Sequence, residues 1–179
     1  MIYQERSGFI WIGTQEGLNR YDGKTFTVYR HNPQDANTLS HDVIRDIIED
    51  EQGNLWVATF KGLNVRRSNS SVFQPVVLKS EGQELSSIRL NKLFIDSKQR
   101  LWIGAEQGGV YLLDLPESQG SGTQIDVRAL KLTKELSVTE IKEDSRGRFW
   151  VGTDGDGILL LSANFDEEER FQFELGRTF

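Results

Sequence analysis

Apolar and polar residues alternate along this chain in short runs of four to six, broken each time by a small cluster of Asp, Gly, Ser or Asn. Ile44 to Glu49, Leu93 to Ile95 and Val138 to Lys142 are β-branched, partly alternating runs that predict strands. Each ends at an acidic residue followed by two polar residues and a fourth that is usually Gly, as in Asp50 Glu51 Gln52 Gly53 and Asp144 Ser145 Arg146 Gly147. That composition predicts a tight turn, with Asp capping its own backbone and Gly supplying positive φ. A returning strand of the type Leu-Trp-Ile-Gly-Thr follows, and then a second Gly where the chain must reverse again. Third strands are predicted at Leu18 to Tyr21 and Val110 to Leu113, and final strands at Phe26 to Tyr29, Phe73 to Leu78 and Phe171 to Leu175. No segment keeps apolar residues at helical spacing for three turns.

The pattern is one unit written four times. Trp11, Trp56, Trp102 and Trp150 are spaced 45, 46 and 48 residues apart, each inside the same phrase. A second marker keeps the same register upstream, at Leu39 Ser40, Leu85 Ser86 and Leu136 Ser137. Four antiparallel strands per repeat of this length predict a β-propeller blade, since so small a twisted sheet buries its faces only against neighbours of its own shape. The expectation is an all-β chain forming a single partial propeller over 1–179, with repeats at about 1–30, 39–79, 85–132 and 136–175. Four such repeats predict a portion of a longer ring, with apolar outer faces on the first and last blades.

Composition narrows the function classes. The 179 residues carry a net charge of -6, which argues against a nucleic-acid-binding surface. There is no Cys, hence no disulfide framework and no thiol chemistry. No apolar run is long enough for a membrane helix or a signal peptide. The run Asp166 to Glu169 reads as a solvated loop.

The conspicuous side chains have structural readings. A Trp at one strand position of every blade is expected to fill the space between blades, although exposed Trp also stacks on sugars. The Gly and Thr after it read as close packing and hairpin geometry. Asp154 Gly155 Asp156 Gly157 resembles an oxygen-rich calcium loop but lacks further ligands at suitable spacing, and reads as an acidic turn. His31 and His41, the two histidines, fall in the connection between the first two blades without a matched third ligand. No Gly-x-Ser-x-Gly elbow or phosphate loop occurs, and no cofactor is predicted.

Variation among the copies is uneven. The Asp-x-x-Gly turns hardly change, whereas the hairpins between second and third strands read Gln15 Glu16, Phe60 Lys61, Glu106 Gln107 and Asp154 with Asp156. In a propeller those hairpins and the blade connections, such as Arg30 to Asp42, share one face. These eight residues are therefore the candidate ligand-binding set.

The phrase Asp-x-x-Gly-x-Leu-Trp-Ile-Gly-Thr-x-x-Gly-Leu, with Leu-Ser upstream, resembles the two-component regulator propeller repeat over essentially the whole chain. Gly8 to Gly23 is similar to the first repeat of such sensors. Departures are local: Glu5 replaces the turn Asp, Gln99 replaces the turn Gly, Ala58 replaces the Gly after Trp, and the third and fourth hairpins carry one extra residue. The resemblance implies the periplasmic or extracytoplasmic sensor region of a bacterial hybrid histidine kinase or diguanylate cyclase receptor. It implies seven-bladed propellers, a membrane crossing and an output module outside this segment, a homodimeric receptor, and a small-molecule or saccharide ligand. Two other classes stay open. One is a propeller lyase or glycosidase with carboxylates such as Glu16, Glu106 and Asp154, and the other is a protein-binding scaffold.

Overall fold

The computed structural model describes residues 1–80, 83–85, 88–115, 125–128, 130–131, 133, 136–165 and 171–176. All the regular structure among them is β, in four sheets that follow one another along the chain. The first is β1 (Ile2–Gln4), β2 (Ile10–Gly13), β3 (Leu18–Tyr21) and β4 (Phe26–Tyr29) in simple antiparallel order. The second contains β5 (Ile44–Glu49), β6 (Leu55–Thr59), β7 (Gly62–Arg66) and β8 (Gln74–Ser80), with the short β9 (Gln83–Glu84) on β8. The third holds β10 (Leu90–Ile95), β11 (Arg100–Ala105), β12 (Gly109–Asp114) and β14 (Leu130–Lys131). The fourth holds β15 (Val138–Glu143), β16 (Arg148–Thr153), β17 (Ile158–Phe165) and β18 (Phe171–Gly176).

One strand breaks the pattern. β13 (Ile125–Arg128) lies in the third repeat but pairs in parallel with β8 of the second, Ile125 opposite Val76 and Arg128 opposite Lys79. The second sheet thereby gains a strand, its outer edge is covered, and β14 alone is left to close the third blade. Repeat alignment does not reveal this exchange, because among the described residues no other copy has a counterpart to it. Ser86, the second half of the second Leu-Ser marker, and the acidic run 166–169 lie outside the described residues.

The first strands sit innermost: β5 touches β10, and β10 touches β15. Successive blades are joined by their tryptophans. Trp11 packs with Leu39, Ile44, Ile47 and Val57 of the second blade, Trp56 with Leu90, Leu93 and Ile103 of the third, and Trp102 with Leu136, Val138 and Ile141 of the fourth. These three indoles are fully buried, and Trp102 stacks on Phe149 with ring centroids 3.9 Å apart. Burying about 200 Å² of ring at about 25 cal/mol per Å² is worth about 5 kcal/mol per Trp, which makes them the main apolar bond between blades. Trp150, on the last blade, is only half-buried.

The Gly two positions after Trp is needed for this approach. A Cβ on Gly13 would lie 2.7 Å from Ile44 Cγ2, and one on Gly104 would lie 2.4 Å from Val138 Cγ1. Each contact is to the first strand of the following blade, so these glycines set how closely blades approach. Ala58 fills the corresponding place in the second blade and is itself fully buried. The result is four consecutive blades of an all-β propeller fold.

Candidate functional site

The blades have two ends with different chemistry. At the turn end every Trp donates its indole N–H to a carboxylate six residues upstream: Trp56 to Asp50 and Trp102 to Asp96 at 2.8 Å, and Trp150 to Asp144 at 3.0 Å. In the first blade Glu5 takes the Asp position and accepts from Trp11 at 2.7 Å, so the longer side chain preserves the bond. A cationic or amide group completes each bracket. Arg100 and Arg148 donate through Nε to Asp96 and Asp144, and Asn54 donates to Asp50. The first blade has Phe9 at that position, and Arg66 of the second blade reaches across to Glu5 at 2.7 Å. The indole of Trp150, with help from Arg148, holds the Asp144 carboxyl well below the usual carboxylate range. Further bonds cross between blades at this end, from Arg6 N–H to Glu49 and from Ser97 N–H and Oγ to Glu143.

The innermost strands carry one more ionic contact. Asp46, Lys92 and Glu140 occupy one register position in β5, β10 and β15, and the Lys92 ammonium lies 3.2 Å from Asp46 and 3.4 Å from Glu140. Burial opposes the charged form of Lys92, but the two carboxylates outweigh it and its pKa is raised.

At the hairpin end the backbone is equally regular. The N–H groups of Gly17, Gly62 and Gly109 donate to the carbonyls of Asp42, Ile88 and Leu136, each in the lead-in of the next blade. The Thr after Trp is a hairpin cap: Thr14, Thr59 and Thr153 each donate Oγ1–H to the carbonyl of the second Gly, at 2.7 to 2.9 Å. The same hydroxyls accept from the backbone N–H of Glu16, Lys61 and Asp156.

On that constant frame the side chains diverge, and the β6–β7 hairpin stands as a ridge between two clefts. One cleft, of about 430 Å³, is lined by Gln15, His41, Arg45 and Phe60 among others. The other, of about 390 Å³, lies beneath the connection of residues 31–40 and is lined by Lys61, Asp35 and Pro75 among others. Of the eight predicted residues, Gln15 and Phe60 share the first cleft and Lys61 belongs to the second. Glu106 reaches this region through an ion pair with Arg89 at 3.3 Å. Glu16 faces solvent, and its carbonyl accepts from Arg30 Nε. Gln107, Asp154 and Asp156 lie exposed on the following hairpins and line neither cleft.

Residues missed by hairpin comparison surround Phe60. The Arg89 guanidinium carbon lies 4.3 Å from its ring centroid, that of Arg45 lies 5.5 Å away, and the His41 ring is 5.4 Å away. Arg45 projects from a β-bulge, where the register slips between Ile44 and Asp46. The same bulge recurs in β10 and β15 with Asn91 and Thr139 at its crest. Comparing first strands column by column would have singled out Arg45, and Arg89 likewise, since it stands where Val43 and Ser137 stand.

The histidines act as loop staples: His31 Nδ1 lies 2.6 Å from the Leu39 carbonyl, and His41 Nδ1 accepts from Val43 N–H. The Asp154 to Gly157 segment is a Thr-capped turn, and among the described residues no three His, Cys, Asp or Glu side chains converge as a metal set would. No helix among the described residues is long and apolar enough to cross a membrane.

Comparison with known proteins agrees with the geometry. The solved extracellular domain of BT4673 from B. thetaiotaomicron, described as belonging to a hybrid two component system, superposes with a TM-score of 0.75 at 21% identity, over 97% of this chain and 28% of that one. The corresponding domain of BT3049 from the same organism gives 0.67 at 25% identity, over 97% and 23%. Histidine kinase P4 of Formosa agariphila is 49% identical over 39 residues, which is 22% of this chain and 3% of that protein. The chain thus spans about a quarter of these solved relatives and a small part of the curated one. Residues 38–61 and 134–155, each running from a Leu-Ser lead-in region through the Trp strand, match the family model described as two component regulator propeller. Two of the four Trp-bracketed blades, the second and the fourth, thus carry stretches that match the two component regulator propeller repeat.

Proposed function

We propose that this chain is a non-catalytic, extracytoplasmic sensor module of a bacterial transmembrane signalling receptor, and that it recognises a small molecule or saccharide on its hairpin face. The observation that carries this reading is the convergence at the β6–β7 ridge: residues that break the repeat, Phe60, Arg45 and Arg89, meet beside an open cleft, while the Asp–Trp brackets stay uniform. A scaffold held constant under side chains that vary is the arrangement recognition requires. The relatives support the class, since two are described as extracellular domains of hybrid two component systems and a third as a histidine kinase.

In this reading the four blades belong to a longer propeller, seven-bladed by resemblance, within a homodimeric receptor whose kinase or cyclase module lies across the membrane. Ligand would bias the packing between propellers or subunits, which requires different affinities for two receptor arrangements. The propeller-enzyme alternative asks for paired carboxylates on one cleft, but Glu16, Glu106 and Asp154 line neither of the two clefts. A saccharide array probed with the full-length receptor's ectodomain tests the proposal. Binding that is lost in Phe60→Ala/Lys61→Ala supports it, and saccharide binding or ligand-dependent signalling indifferent to that double substitution overturns it.

A further inference from the structure

Resting on the hairpin-face reading, we infer that the cleft beside Phe60 takes an anionic saccharide, one bearing a carboxylate or a sulfate ester, with Arg45 and Arg89 as the groups that recognise its charge. Internal repetition supplies the control. The bulge crest carries Asn91 and Thr139 in the third and fourth blades, so an Arg there is no requirement of the bulge. The position of Arg89 is filled by Val43 and Ser137 elsewhere, with the same carbonyl bonded to the same hairpin N–H in all three blades. Phe60 stands where Gln15, Glu106 and Asp154 stand. Three independent departures from the blade pattern therefore meet at one spot, and two of them are guanidinium groups.

Their surroundings leave charge to spare. Glu106 offsets part of the charge of Arg89, through a contact in which the two side chains are 52% and 32% exposed. Such an exposed pair contributes little and yields readily to a better acceptor. Arg45 is exposed, and its guanidinium faces the Phe60 ring rather than a carboxylate among the described residues. Two cations near one apolar ring repel each other, and the ring quadrupole only partly offsets this. An anion seated against Arg45, which lines the cleft, and within the field of Arg89, which stands against the Phe60 ring, would relieve the repulsion and could take bidentate hydrogen bonds from the planar Arg45 fork. The whole chain carries -6, so this local excess of positive charge runs against the global field and marks the spot as specific. The cleft of about 430 Å³ has room for one to two sugar rings, and Gln15 and His41 supply polar groups for hydroxyls.

The test is calorimetric titration of the full chain with three probes: tetragalacturonate, a carrageenan tetrasaccharide carrying sulfate but no carboxylate, and neutral maltotetraose. Binding of one or both anionic probes is expected, weakening between about 50 and about 300 mM salt as exposed charges are screened. Arg45→Ala and Arg89→Ala should each weaken it about tenfold, and Arg45→Lys should restore only part of it because the fork is lost. Both arginines are exposed, so the unfolding midpoint should stay within about 2 °C and exclude a folding defect. Carboxylate-only or sulfate-only binding identifies which group is read. Maltotetraose binding as tightly as the anionic probes, anionic binding indifferent to both substitutions, or no binding of either anionic probe overturns the inference. Neutral binding lost in Phe60→Ala/Lys61→Ala would retain the hairpin-face reading while removing its anionic form.

Discussion

The turn end and the hairpin end of each blade are built on the same strands, yet they answer to different constraints. At the turn end a carboxylate accepts from an indole and from an Arg or Asn in all four copies, and where one component is missing another is brought in. Glu5 substitutes for Asp, and Arg66 crosses from the second blade to replace the absent Arg of the first. At the hairpin end only backbone and Thr-cap bonds repeat, and the side chains go their own way. Compensation is therefore the mark of a structural role here, and divergence without compensation is the mark of a surface free to recognise something.

That contrast breaks most sharply under paired substitutions. Asp96→Ala removes the acceptor of Trp102, the partner of Arg100 and two backbone caps from a side chain that is fully buried, and should cost about 3 to 5 kcal/mol in denaturant unfolding. Phe60→Ala, at the other end of a like blade, should cost less than about 1 kcal/mol by the same measurement. Comparable losses at the two ends would erase the distinction.

Arg66→Ala should cost about 3 kcal/mol, because Glu5 is then left buried with a lost charge partner. The loss should concentrate at the boundary between the first two blades, read by hydrogen exchange of β2 and β5.

Gly104→Ala places a methyl against Val138 and should cost about 1 to 3 kcal/mol. In a Val138→Ala background the same substitution should cost measurably less, as double-mutant coupling requires for touching groups.

Gln99→Gly should stabilise the third blade by about 1 kcal/mol, since Gln99 holds φ of +61° where Gly53 and Gly147 stand in other copies, and its side-chain oxygen is buried without a partner. Melting of this variant against Gly147→Gln, which should fall, checks the sign.

The smallest effect concerns pH. The Asp144 carboxyl titrates below its unfolded value, so its contribution is complete above about pH 4 and is lost as pH falls through the folded-state pKa. Asp144→Asn should flatten the acid limb of the stability curve, and an unchanged limb would remove Asp144 from the account.

Much of this was legible in the residue pattern, and the exceptions have causes. The strands Ile44–Glu49 and Phe26–Tyr29 coincide with the β-branched and aromatic runs that predict them, because such side chains favour the extended, pleated backbone. The interblade role of Trp11, Trp56 and Trp102 followed from repetition alone. The indole-to-carboxylate bond did not, since an Asp before a turn reads first as a backbone cap, and here it is both. The parallel pairing of β13 on β8 was hidden because it is a tertiary exchange that, among the described residues, one repeat alone makes. Hairpin comparison singled out Gln15, Phe60, Lys61 and Glu106 as candidates but not Arg45, which a bulge rather than a loop places beside the first cleft.

The most direct test of the central claim is hydrogen exchange of the four indole N–H groups by NMR on the full chain. Trp11, Trp56 and Trp102 should exchange only through large-scale opening, and substituting the carboxylate of one bracket should release its own indole first while Phe60→Ala releases none. Indoles that exchange at the rate of free Trp, or that are released equally by substitutions at either end, would contradict the division between a structural turn end and a recognition end.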